Sequence, residues 1–95
     1  ARMVYPADLL AKNISGYALC EFTIDKEGVI LRPHILKSTH PEFAEEALRI
    51  VKEMPKWTPA LVGGKPADST YTLYVPFRPR LYKEQVRERG LSKKD

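Results

Sequence analysis

The sequence predicts a small α+β domain in which a three-stranded antiparallel sheet carries one long helix on one face, in the order ββαβ with a short helix ahead of the first strand. Three observations predict it: strict apolar/polar alternation from Gly16 that turns back on itself, a proline-started amphipathic segment after Thr39, and a second alternating run from Ser69 to Phe77. With 95 residues, 43% of them hydrophobic, the chain holds material for one compact core and too little for two. We place the domain at residues 1–80 and a basic tail at residues 81–95.

The elements follow in chain order. Pro6 stands where a helix starts, and Leu9, Leu10 and Ile14 lie within helical spacing of one another. From Gly16, Ala18, Cys20, Phe22 and Ile24 fall on one face of a strand and Tyr17, Leu19, Glu21, Thr23 and Asp25 on the other. Asp25-Lys26-Glu27-Gly28 supplies the turn, with Gly28 free to take positive φ, and Val29 to Ser38 returns as the second strand. Pro33 cannot donate to a ladder, so a bulge is expected near it. Thr39-His40-Pro41-Glu42 reads as a capping box opening a helix that runs to about Met54, before Pro55. Phe43, Ala47, Leu48, Val51 and Met54 form its apolar stripe, and Glu45 and Glu46 pair with Arg49 on the wet side. Residues 55–68, with Pro55, Pro59, Pro66 and Gly63-Gly64, read as a loop in which Trp57 plugs the end of the core.

Charge distribution argues against a nucleic-acid partner. The formal net charge is +4, and the segment from Arg78 to Asp95 holds seven basic and three acidic residues, so the preceding body is neutral. A folded body without a basic face lacks the surface that phosphate binding needs. The tail reads as an exposed end with a helical turn or two before Gly90. No apolar run reaches the roughly 18 residues of a membrane span, and targeting information is expected upstream of Ala1.

Candidate chemistry is sparse, and no enzymatic activity, cofactor or metal is expected. Folding the hairpin brings Cys20 near His34, but Cys20 shares the face of Ala18, Phe22 and Ile24 and reads as a core residue. His34 and His40 lack a third ligand for a metal. Gly63-Gly64 is followed by Lys65-Pro66 and a strand, which excludes a phosphate loop.

Pro76 carries the functional reading. A proline inside a strand is tolerated where its missing N–H would have faced away from the ladder, so the last strand is expected at a sheet edge. Backbone directions alternate along a strand, so Thr70, Thr72 and Tyr74 then face outward with Pro76 and offer an edge to an incoming segment. Ser69 opens this strand, and Ser69, Thr70, Thr72, Tyr74 and Pro76 are the expected partner-strand site.

The residues from Tyr5 to Phe77 resemble the TonB C-terminal domain family: Tyr5-Pro6, Gly16, Asp25-Lys26-Glu27-Gly28, Ile35-Leu36-Lys37-Ser38, His40-Pro41-Glu42-Phe43, Ala47-Leu48, Trp57-Thr58-Pro59-Ala60, Gly64-Lys65-Pro66 and Val75-Pro76-Phe77. The resemblance implies a periplasmic adaptor, anchored to the inner membrane in the full-length protein. It implies capture of the TonB box of outer-membrane transporters as an added strand, passing on proton-motive energy from an inner-membrane complex reached through an N-terminal part. It also implies flanking contacts from Arg2, Met3, Val4 and Tyr5. The stretch from Pro59 to Asp68 is longer than in the best known transducers, and the tail after Arg80 lies outside the family pattern. Related domains are fused to inner-membrane signalling proteins, so a docking or sensing domain is the alternative, and pairing of two copies is a further association that an open edge admits.

Overall fold

The computed structural model describes residues 3–92, with side chains described through residue 85. Helix α1 covers Ala7–Ala11, strand β1 Gly16–Ile24, β2 Ile30–Ser38, helix α2 Pro41–Lys52, β3 Ala60–Val62, β4 Lys65–Ala67, β5 Ser69–Phe77 and helix α3 Pro79–Ser92. Strands β2, β1 and β5 form an antiparallel sheet in that order, and β3 pairs with β4 in a separate two-stranded ribbon. The architecture is the expected α+β arrangement of three strands under one long helix.

The alternation in β1 decides which face is covered. Ala18, Cys20, Phe22 and Ile24 are buried against α2, which brings Phe43, Ala47, Ile50 and Val51 down onto them. At one end of the core Phe43 stacks on Phe77 with ring centroids 4.2 Å apart, and Tyr5 meets both rings edge-on. At the other end Trp57 packs against Phe22 and Tyr71 and donates its backbone N–H to the Gly28 carbonyl at 2.9 Å. Gly28 lies at φ +86°, and the turn is tied by the Asp25 carboxylate, which accepts from the N–H groups of Glu27 and Val29.

Cys20 is fully buried, and burial pushes its thiol up against a smaller opposing effect of the His34 backbone. His34 sits on the opposite face, with Nε2 3.1 Å from the Glu21 carboxylate, so the sheet itself separates the two side chains. Cys20→Ala should therefore cost only about 1 kcal/mol through its small cavity. The native thiol should react with a labelling reagent only as fast as the domain opens, which a labelling time course against denaturant checks.

Several expectations about these elements need correction. Thr39 does not cap α2: His40 is the N-cap residue, and the Thr39 hydroxyl instead accepts from Tyr17 N–H and lies 3.3 Å from the Tyr17 carbonyl. Glu46 is not on the wet side but buried, for a reason developed below. Residues 60–67 are not loop throughout, since Ala60 to Ala67 closes into a hairpin around Gly63 and Gly64, both at positive φ. The stretch after β5 is helical over Pro79–Ser92, which begins two residues before the expected tail.

Candidate functional site

The outer side of β5 can be assigned from hydrogen bonds at the two ends of β1. Tyr17 spends both its N–H and its carbonyl on Thr39, which follows β2, and Asp25 donates its N–H to Val29 just before β2. Both residues thus point towards β2. Because N–H and C=O of a residue share a direction that alternates along the strand, Gly16, Ala18, Cys20, Phe22 and Ile24 point towards β5. Their opposite numbers are Phe77, Val75, Leu73, Tyr71 and Ser69 in an unbroken register. The outward residues are therefore Thr70, Thr72, Tyr74 and Pro76, and Pro76 stands opposite Tyr17, where a missing N–H leaves no gap in the ladder. Ser69 faces β1 opposite Ile24, so its backbone belongs to the ladder and leaves the candidate site.

No described element pairs with the outer side of β5. Helix α2 rests chiefly on β1 and β2, so it does not shield that edge. Thr70, Thr72 and Tyr74 are exposed, and the Tyr74 ring lies 5.6 Å from that of Tyr17 on the sheet face away from α2. The other edge is a poorer template. Strand β2 contains Pro33 and loses register twice, between the partners of Leu19 and Cys20 and between those of Glu21 and Thr23, with Arg32 at φ +52°. Such breaks twist an edge and interrupt its row of donors and acceptors, which is how sheets discourage pairing on a given side.

Of the expected flanking residues, Arg2 lies outside the described residues. Val4 is 56% exposed and Met3 partly buried, but Tyr5 is committed to the core: its ring packs against Phe43, Phe77 and Tyr82, and its hydroxyl donates to the Ile14 carbonyl. Tyr5 therefore anchors the N-terminal segment instead of meeting a partner.

Glu46 holds the same segment from the other side. Its carboxylate accepts the backbone N–H of Val4 and both Nε and Nη2 of Arg49, at 2.8 and 2.7 Å from the guanidinium, while Arg49 also reaches Glu53. Burial alone would raise the Glu46 carboxyl, but hydrogen bonds from Arg49 and Val4 and the charge of Arg49 outweigh it and hold the group below the usual carboxylate range. A depressed folded value means this stabilisation is complete above about pH 5 and fades as pH falls through the folded value. Glu46→Gln should then lower the protection factor of the Val4 amide at neutral pH and abolish the further loss of protection that acidification is expected to bring in the parent. Hydrogen exchange of the Val4 amide across pH 3 to 7 checks both.

The profile of the family described as Gram-negative bacterial TonB protein C-terminal matches residues 1–79. The chain belongs to the TonB C-terminal domain family. A solved structure described as the TonB2 protein from Vibrio anguillarum is similar in fold, with a TM-score of 0.62 and 28% identity over 81% of this chain and 74% of that one. No curated protein matches. TonB C-terminal domains belong to transport-associated Gram-negative proteins and lie in the periplasm. Among the described residues no helix is long and apolar enough to cross a membrane.

Proposed function

We propose that this TonB C-terminal domain receives the TonB box of outer-membrane transporters as a fourth strand along β5 and passes on proton-motive energy for nutrient uptake. The observation that carries the reading is the regular outer edge of β5, where Thr70, Thr72 and Tyr74 turn their N–H and C=O groups away from β1 next to a proline that needs no partner. Main-chain pairing supplies affinity with little demand on side chains, which suits one adaptor serving several transporters. The link to the inner-membrane complex runs through an anchored N-terminal part in the full-length protein. The strongly held segment Met3 to Tyr5 then enters the domain beside its core, with Arg2, Met3 and Val4 as the flanking contacts. A pull-down from outer-membrane extract tests the reading: it should recover TonB-dependent transporters and lose them on adding a TonB-box peptide. Recovery that resists the peptide would refute it.

A further inference from the structure

Beyond the last outward residue of β5 lies a cleft that main-chain pairing does not use. It has a volume of about 160 Å³ and is lined by Met3, Pro76, Arg78, Leu81, Tyr82 and Gln85. Its position follows from the chain path, because β5 ends at Phe77 and α3 begins at Pro79, so the first turns of α3 are folded back beside the end of the edge. Tyr82 is pinned there by its ring contact with Tyr5, and Lys83 donates to the Asn13 side chain at 2.9 Å, which fixes α3 to the α1 end of the domain. Leu81 is left 47% exposed at the mouth.

Size and charge define what fits. An apolar space of about 150 Å³ is enough to take up one benzene ring. None of the described residues lining the cleft is acidic, Arg78 stands in its wall, and the segment from Arg78 to Asp95 carries seven basic against three acidic residues. An apolar socket with an arginine among its lining residues suits a bulky apolar side chain next to a carboxylate. Because the cleft begins at Pro76, it is continuous with the outward edge.

We propose that this cleft is a side-chain subsite for the segment added along β5, taking one bulky apolar residue beside an acidic one just beyond the last paired position. The proposal rests on strand addition and gives it a source of discrimination, since backbone pairing alone reads no side chain. Leu81 and Tyr82 receive the apolar group, and Arg78 receives the carboxylate.

The test uses a TonB-box peptide, bare or extended by Phe-Asp or by Ser-Asn, with each extension placed at either end, titrated into the parent chain, Leu81→Ser and Arg78→Glu by fluorescence anisotropy. At one end the Phe-Asp peptide should bind about tenfold tighter than the Ser-Asn peptide. Leu81→Ser should remove most of that gain and Arg78→Glu a part of it, while both variants bind the bare peptide as the parent does; both positions are exposed, so neither substitution threatens the fold. Equal binding of the two extended peptides at both ends, or a gain that survives Leu81→Ser, overturns the subsite and leaves strand addition standing. A bare peptide that fails to bind the parent chain overturns strand addition and the subsite together.

Discussion

Thr72→Pro is expected to weaken binding of a TonB-box peptide by at least about tenfold, with the domain still folded. Thr72 stands opposite Glu21 among the outward positions of β5, so its N–H is free of the β1 ladder. Proline deletes that donor and sets its ring where an incoming backbone would lie. Its side chain is exposed, so the core loses nothing. The contrast is Leu73→Pro, one residue on, which removes a ladder bond to Cys20 from the middle of the sheet and should unfold the domain. Peptide titration with circular dichroism on both variants checks the pair, and equal binding by Thr72→Pro would sink the edge assignment.

Gly28→Ala should cost about 2–4 kcal/mol. An added Cβ would sit 2.1 Å from the Trp57 carbonyl oxygen, and φ +86° is strained for any side chain. The clash is with backbone, so relief requires moving the segment that holds Trp57 over Phe22 and Tyr71. Out of a typical 5–15 kcal/mol this is a large share. Gly63→Ala makes the control: φ is +58° there too, but no atom lies within 4 Å, so about 1 kcal/mol is expected. Denaturation followed by Trp57 fluorescence separates the two.

What was legible in the sequence came from short-period signals. The two-residue alternation of β1 and β5 specified the buried face, Gly28 specified its turn, and Pro76 specified the parity that the Tyr17–Thr39 bonds bear out. What was not legible depended on partners far along the chain. Glu46 looks like one more carboxylate on an amphipathic helix until the N–H of Val4, 42 residues away, is found on it. Thr39 has a good capping neighbourhood, but Tyr17 competes for its hydroxyl and wins, because the first pair of the sheet closes there. Strands β3 and β4 have three residues each, too few for any periodicity to register. The one signal that could have exposed them is Gly63-Gly64 between Leu61-Val62 and Lys65-Pro66, a two-residue hairpin pattern. Tyr5 is buried ahead of the first helix, where a residue gives no periodic sign of its burial.

The measurement that tests strand addition most directly is an amide-shift titration of the chain with a TonB-box peptide, read by NMR together with hydrogen exchange. Binding along β5 should shift the amides from Ser69 to Phe77 and protect those of Thr70, Thr72 and Tyr74, which are expected to exchange rapidly in the free domain, while Tyr71, Leu73 and Val75 should stay protected throughout. Shifts confined to β2, with Thr70, Thr72 and Tyr74 still exchanging rapidly at saturation, would contradict it.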